Sequence, residues 1–122
     1  HMRDLGGGAI VNIGSGSSGA PFPNLGDYSA SKAGIDRLTQ VAAVELGPMG
    51  IRVNCVAPGA IATDMLGELS PDMLEHFQST TPLGRLGEPE EMGNVISFLL
   101  SEDSSYMTGS TVVASGGRIL IP

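Results

Sequence analysis

Short apolar runs are the first regular feature of the chain. Residues 9–13, 51–57 and 110–114 are rich in β-branched side chains, and glycine or proline brackets or follows each run. Runs of this length and composition are typical of strands, and the absence of polar alternation in residues 9–13 indicates a strand buried on both faces. The sequence therefore predicts three strands, separated by long intervening segments.

A longer period occupies residues 28–46. Small and apolar side chains recur there near helical spacing, Asp27 offers an N-cap, and Gly47 with Pro48 supplies a stop. The positions in question are Ala30, Ala33, Gly34, Leu38, Val41, Ala42 and Leu46. The pattern predicts one long helix that can pack closely.

Two further helices are indicated by their first residues. Ser70 and Pro71 form a cap with proline at the first helical position, and Pro82 ends that segment. Pro89 opens another helix, in which apolar residues fall at i, i+3, i+4, i+7 and i+8. These residues are Met92, Val95, Ile96, Leu99 and Leu100.

Strands that alternate with helices form βαβ units, so the fold class is predicted to be α/β with a parallel sheet. We expect one domain over residues 3–122, and we interpret His1 and Met2 as a cloning remnant. Three strands are few for such a sheet, which leaves an unpaired apolar edge. We therefore expect a homodimer or a larger homo-oligomer, in which strands could continue across the interface.

Composition narrows the functional classes. Acidic residues outnumber basic ones by 13 to 6, which gives a net charge of -7 and disfavours nucleic acid and anionic lipid as partners. No apolar stretch is long enough to span a membrane, so the expectation is a cytoplasmic protein that acts on a small molecule. The only cysteine, Cys55, lies in an apolar run and is predicted to be a small buried thiol. No metal site is predicted, because His76 has no second ligand at suitable spacing.

Tyr28 and Lys32 stand one helical turn apart and share a face. A phenol ionises only near pH ~10. An ammonium at ~4 Å stabilises the phenolate by about 1 kcal/mol in water and about 4 kcal/mol at a surface-like dielectric. Ser15 follows the first strand, where its hydroxyl could hold a substrate oxygen. On spacing alone, a helix that merely carries both residues is the favoured interpretation.

Several motifs in register change that balance. The chain carries Tyr-Ser-Ala-Ser-Lys-Ala-Gly at 28–34, Asn-Ile-Gly-Ser at 12–15, Ile-Arg-Val-Asn at 51–54 and Ala-Pro-Gly at 57–59. Gly-Arg-Leu-Gly-Glu-Pro-Glu-Glu at 84–91 and Ser-Tyr-Met-Thr-Gly at 105–109 follow in the same order. Together they resemble the short-chain dehydrogenase/reductase family over residues 7–117. The resemblance implies a partial Rossmann-like, doubly wound parallel sheet of about three strands with three helices.

The resemblance implies roles for matching positions. Ser15 would orient the substrate, Tyr28 would be the general acid and base, and Lys32 would support the tyrosine and bind the nicotinamide ribose. Four residues match positions that contact the nicotinamide, and residues 65–82 match a mobile segment that covers the substrate. The four are Pro58, Gly59, Ile61 and Thr63. The implied cofactor is NAD or NADP.

The family's glycine-rich pyrophosphate turn has no counterpart in the matching residues. Residues 14–19 satisfy the pattern G-x-G-x-x-G, but the prolines that follow prevent a helix from opening on the third glycine, so a substrate loop is favoured. Without that turn the phosphates lack their main anchor. We therefore expect a truncated oxidoreductase whose independent cofactor binding and redox activity are weak.

Two other functions stay open. Ser15, Ser17 or Ser18 beside the Tyr-Lys pair could act as the nucleophile of a small-ester hydrolase, although the sequence has no G-x-S-x-G elbow. The chain could also be a non-catalytic structural fragment that only folds and assembles.

Overall fold

The computed structural model describes residues 1–20 and 23–119. Its strands are β1 (Gly8–Ile13), β2 (Ile51–Pro58) and β3 (Thr111–Ala114). Its α-helices are α1 (Gly26–Leu46), α2 (Asp64–Gly67), α3 (Pro71–Ser79) and α4 (Pro89–Leu100). All three predicted strands and all three predicted helices are present, and α2 is a short addition that no sequence period indicated.

The strands form one parallel sheet in the order β1-β2-β3. Register places Ile13 of β1 opposite Val56 and Pro58 opposite Ala114, so the carboxyl ends of the strands meet at one edge. The prediction of an α/β fold with a parallel sheet is confirmed. The sheet edge formed by these carboxyl ends is where ligands bind in open α/β folds.

Helices pack on both faces of the sheet. Successive side chains of β2 point to opposite faces and contact a different helix on each. Ile51 and Val53 pack with Ala43 of α1 on one face. Arg52 points to the other face, where it donates to the Leu99 carbonyl at the end of α4. The doubly wound arrangement predicted from the sequence is therefore present on a sheet of three strands.

The central strand carries the core. Val53, Cys55, Val56 and Ala57 are at most 1% exposed. Ile10, Ala42 and Leu46 are half-buried against the Ala43 cluster. Burying an aliphatic side chain stabilises the folded state by roughly 1.5–3 kcal/mol, which makes β2 the main source of stability in the sheet.

The first strand differs from its prediction. It was expected to be buried on both faces, but β1 is half-buried in its middle and exposed at both ends, with Ile13 47% exposed. The physical reason is position, because β1 pairs only with β2 among the described residues and forms an edge of the sheet.

The long helix also departs from the sequence reading. It begins at Gly26 with Leu25 as N-cap, so Asp27 lies in the first turn and is not the cap. Most of its predicted packing positions are exposed, including Leu38 and Val41. The inward face is mixed, with Thr39 and Ala43 buried. Apolar spacing identified the helix but not the face that packs on the sheet.

Helix α3 begins as predicted. Ser70 is its N-cap, where the side-chain oxygen accepts from the Met73 amide, and Pro71 occupies the first helical position. None of the helices in the described residues is both long enough and apolar enough to cross a membrane.

Candidate active site

Three loops converge at the carboxyl edge of the sheet. Ser15 follows β1, residues 59–63 follow β2, and residues 115–119 follow β3. Parallel pairing brings these loops together although they are far apart in sequence. They surround a cavity of about 510 Å³, a volume within the range of small-molecule sites.

The cavity collects nearly all of the residues singled out from the sequence. Its wall includes Ser15, Tyr28, Pro58, Gly59, Ile61 and Thr63. Lys32 is the exception, since it is not part of the wall and lies beside the Tyr28 ring. The structure thus brings Ser15 and Tyr28 to one cavity from two different elements.

The tyrosine and lysine are close. Lys32 Nζ lies 5.7 Å from the centroid of the Tyr28 ring and donates to the carbonyl of Ile13 at 3.1 Å. That bond ties the ammonium to the end of β1. Tyr28 is 44% exposed, so its hydroxyl can be reached from the cavity. The i, i+4 spacing has therefore placed an anchored cation beside an accessible phenol.

Hydrogen bonds within the loop order the Ser15 hydroxyl. Ser15 Oγ accepts from the Ser17 amide at 3.2 Å and from Ser17 Oγ at 2.9 Å. Both bonds use Ser15 Oγ as an acceptor, and among the described residues its own O–H has no acceptor. Ser17 is buried, and the Ser18 hydroxyl donates to Asp36 of α1. Neither finding favours Ser17 or Ser18 as a nucleophile.

Gly14 and Gly16 allow close packing of the loop after β1. A Cβ on Gly14 would lie 2.7 Å from Cys55 Sγ, and one on Gly16 would collide with the Ile119 side chain. The segment forms a 3-10 turn at Gly16–Ser18, and α1 begins only at Gly26. No helix opens on Gly19, so this loop lacks the helix N-terminus on which a pyrophosphate would rest.

The loop after β2 is hydrogen-bonded to the segment that precedes α4. Ala62 donates to the Gly87 carbonyl at 2.8 Å, and Gly87 donates to the Ala60 carbonyl at 3.0 Å. On either side of Gly87, Arg85 and Glu91 form a bidentate ion pair with N–O distances of 2.8 and 2.7 Å. The hydrogen bonds from Arg85, and then the one from the Glu88 amide, lower the pKa of the Glu91 carboxyl from its ordinary 4.5 to about 2. The bracing fixes the backbone beside Ile61.

Sequence reasoning missed one charged member of the cavity. Arg118 lines it next to Ile119, together with apolar side chains from α2, α3 and the turn between them. These side chains are Leu66, Leu69, Met73 and Phe77. The apolar members fall in the segment expected to cover a substrate. The Gly116–Gly117 turn was the only signal near Arg118, and it does not reveal where the side chain points.

Within the part of the chain that the structure describes, no three side chains of histidine, cysteine, aspartate or glutamate cluster as metal ligands. His76 is exposed on α3. The polar groups of the cavity wall include the hydroxyls of Ser15 and Thr63, the Tyr28 phenol and the Arg118 side chain, and the Lys32 ammonium lies beside Tyr28.

The amino-acid sequence is similar to a protein-family model and to known dehydrogenases. A family model described as enoyl-(acyl carrier protein) reductase matches residues 1–118. Dehydrogenase/reductase SDR family member 4 of Sus scrofa is 46% identical over 119 residues, which covers 96% of this chain and 43% of that protein. The (3R)-3-hydroxyacyl-CoA dehydrogenase of Homo sapiens is 46% identical over 117 residues, covering 93% and 43% of the two chains.

The fold of the chain is also similar to that of solved dehydrogenase and reductase structures. A 7 alpha-hydroxysteroid dehydrogenase complexed with NADH and 7-oxo glycochenodeoxycholic acid superposes with a TM-score of 0.92 at 38% identity, covering 95% of this chain and 46% of that chain. A 3-oxoacyl-[acyl-carrier protein] reductase from Brucella melitensis gives 0.93 at 39% identity, covering 98% and 45%. The chain spans less than half of the length of each of these four proteins.

Proposed function

This chain belongs to the short-chain dehydrogenase/reductase family, and from that premise we propose that it carries the proton-transfer half of an oxidoreductase site for alcohols and carbonyl compounds. The observation that carries the proposal is the convergence of three groups at one cavity. Tyr28 and Ser15 line it, and the Lys32 ammonium lies 5.7 Å from the tyrosine ring.

Tyr28 acts as the general acid and base in this proposal. Its accessible phenol exchanges a proton with the oxygen of the bound alcohol or carbonyl compound. The Lys32 ammonium, anchored on the Ile13 carbonyl, stabilises the phenolate that forms when the proton leaves. A fixed cation needs no rearrangement during the reaction, which is the advantage of electrostatic preorganisation.

Ser15 orients the substrate. Since its oxygen already accepts two bonds from Ser17, its O–H is left to donate to the substrate oxygen. The Ser17 contacts therefore fix the direction of the donated bond. A substrate oxygen held between Ser15 and Tyr28 would meet a hydrogen-bond donor and a proton-exchanging group in one small volume.

We propose that a nicotinamide cofactor lies along the remaining wall, which includes Pro58, Gly59, Ile61 and Thr63. Pro58 and Ile61 would offer an apolar surface to the nicotinamide ring, and the Thr63 hydroxyl would bind its carboxamide. The Gly59 amide is already used on the Ala114 carbonyl, at 3.0 Å. Lys32 uses one N–H on Ile13, so two others are left for ribose hydroxyls. When bound, NAD or NADP would supply or accept the hydride. We expect residues 1–122 to bind the whole cofactor weakly, because no described loop provides a phosphate-binding turn.

The first test is turnover with and without the phenol. Mixing the chain with NADH or NADPH and a small diketone should give slow loss of the reduced cofactor's absorbance. Tyr28→Phe should lower that rate by at least about 100-fold, the usual contribution of a positioned acid and base. Tyr106→Phe is the matched control, because Tyr106 is fully exposed and lies outside the cavity. Equal rates for wild type and Tyr28→Phe would contradict the role of Tyr28.

The small-ester hydrolase stays a prediction without structural support for Ser17 or Ser18. Ser15 and Ser17 both line the cavity that Tyr28 lines, but Ser17 is buried and its hydroxyl donates to Ser15 Oγ, so Ser15 is the remaining candidate. Hydrolysis of p-nitrophenyl acetate that disappears in Ser15→Ala would favour this function over the oxidoreductase.

A further inference from the structure

The cavity wall is mostly apolar and contains one formally charged residue among those described. Leu66 and Leu69 flank the cavity together with Met73 and Phe77 of α3, and Arg118 is the only formally charged side chain among the described lining residues. The acidic side chains of α2 and α3, Asp64, Asp72 and Glu75, are exposed and do not line the cavity. In a chain with a net charge of -7, the wall of this cavity thus contains a basic residue and none of the acidic ones that the structure describes.

Among the described residues, an aromatic ring and two oxygen atoms hold the Arg118 guanidinium, and no acidic side chain pairs with it. It stacks over the Phe77 ring at 4.5 Å, and its Nη1 donates to the Phe77 carbonyl at 3.4 Å and to the Thr80 hydroxyl. The ion pairs found among the described residues involve Asp4 and Glu91, not Arg118. Nε and Nη2 have no protein acceptor within that part of the chain, so most of the guanidinium's five N–H donors are available to a ligand.

The backbone beneath Arg118 is built rigidly. Gly116 and Gly117 turn with φ of +62° and +86°, where a side chain would be strained. A Cβ on either glycine would also press on Thr81 or Pro82. Ser115 Oγ then accepts from the Ile119 amide at 3.1 Å, which closes the turn around Arg118. These contacts fix the backbone from which the Arg118 side chain extends.

Burial gives the site its tendency to bind anions. Desolvation lowers the pKa of the Arg118 guanidinium, because the half-buried charge has lost part of its hydration. A ligand carboxylate would restore that lost stabilisation. The planar fork of arginine matches a carboxylate with two parallel hydrogen bonds, and the aromatic ring behind it keeps the fork in one plane.

We infer that Arg118 binds the carboxylate of an otherwise apolar substrate, an oxo or hydroxy acid whose hydrocarbon part lies against α2 and α3. The choice of Tyr28 as the reacting end rests on the proposed function. The carboxylate site itself rests only on Arg118 and the cavity wall. Arg118 is thus a specificity-determining residue, and Phe77 and Thr80 are its positioning residues.

Binding without cofactor tests the inference. Calorimetric titration of the chain with octanoate and with octanol compares a carboxylate with a neutral compound of the same chain length. Wild type should bind octanoate at least about tenfold more tightly than octanol, equivalent to about 1.4 kcal/mol. Arg118→Gln should remove that preference and leave octanol binding unchanged. Arg37→Gln, at an exposed arginine of α1, is the matched control and should change neither.

Three results would overturn the inference. The first two are equal binding of octanoate and octanol by wild type, and no binding of either. The third is an equal loss of binding of both compounds in Arg118→Gln, which would show that the arginine only stabilises the position of α3. If Arg118→Gln does not fold, Arg118→Lys keeps the charge but loses the fork, and it should weaken octanoate selectively. Calorimetric binding does not depend on redox turnover. Selective binding of octanoate by a chain without redox activity would therefore contradict the proposed function and support this inference.

Discussion

The Cys55 side chain shows how a single group reports on its surroundings. The thiol was predicted to be buried, and it is fully buried in β2. Burial first, and then the hydrogen bond to Asp36, raise the pKa of this thiol from 9.0 to about 11. A protonated thiol is a poor nucleophile, so Cys55 has the properties of a structural cysteine.

The pKa of Cys55 predicts a dependence of stability on pH. The unfolded chain releases the thiol proton at lower pH than the folded chain, so the free energy of unfolding is fully retained below about pH 9 and falls between about pH 9 and 11. The loss should approach about 3 kcal/mol. Urea unfolding at several pH values measures it, and Cys55→Ala should remove that part of the pH dependence. A thiol that reacts with Ellman's reagent in the folded chain at about pH 8 would contradict this account.

For single residues, the sequence identified the motif residues of the candidate site but not the other polar residues near them. Ser15, Tyr28 and Lys32 were recognisable because they lie in motifs with fixed spacing. Asp36 was not, although it accepts hydrogen bonds from Ser18 and from Thr111 at 3.2 Å. Its neighbours come from distant parts of the chain, and no local pattern indicates which face of α1 meets them. Arg118 escaped notice for the same reason.

Among the elements, α4 depends on an arginine from another element. Arg52 of β2 donates to the carbonyls of Leu99 and Ser101, at 3.0 and 2.9 Å, and to the Ser104 hydroxyl at 3.0 Å. The last carbonyls of a helix have no partners within the helix and carry partial negative charge, so a guanidinium satisfies both needs. This contact connects the sheet to the C-terminus of α4.

Replacing that arginine should destabilise the chain. Arg52→Met would remove the charged donor of the Leu99 and Ser101 carbonyls, which would keep only their hydrogen bonds from Ser104. We expect a loss of about 3 kcal/mol in the free energy of unfolding. Urea denaturation followed by circular dichroism measures the change. Arg37→Met, at an exposed position, provides the matched control. A loss no larger than that of the control would show that water replaces the guanidinium without cost.

The elements themselves were predictable to different degrees. β2 was identified correctly because most of its side chains are apolar or β-branched, as expected of a buried strand, although Arg52 and Asn54 interrupt the run. The α1 helix was identified, but its inward face contains Asp36 and Thr39, and the apolar Leu38 and Val41 point outward. Apolar spacing assigns the packed face only when that face is the apolar one. In α1 the polar residues bond to the sheet and its loops, for example Asn12 to Thr39 at 2.9 Å.

Across the whole molecule, the apolar surface of α1 suggests where copies of the chain associate. Leu38, Val41 and Val44 are 61%, 45% and 78% exposed and lie on one side of the helix. Exposed contiguous apolar residues of this kind mark interaction surfaces. The homo-oligomer expected from the sequence therefore has two candidate surfaces, this helix face and the edge of β1.

Charge placed on α1 distinguishes the two surfaces. If the helix face is the interface, Leu38→Glu should weaken the dimer by about 30-fold or more, because a buried leucine contributes about 2 kcal/mol before the cost of the charge is counted. Sedimentation over a range of micromolar concentrations gives the dissociation constant. Leu83→Glu, at another exposed leucine, should have no effect. A monomeric wild type would contradict the oligomer, and an unchanged Leu38→Glu dimer would assign the interface to β1.

The strand order has a consequence for synthesis on the ribosome. Each strand pairs with the next one along the chain, so β1, α1 and β2 make a complete parallel unit by Pro58. Chains emerge from the N-terminus, and such a unit can collapse before the later residues are translated. We expect the phenol and ammonium to meet on this early unit, and the arginine of the last loop to join them only when β3 has docked.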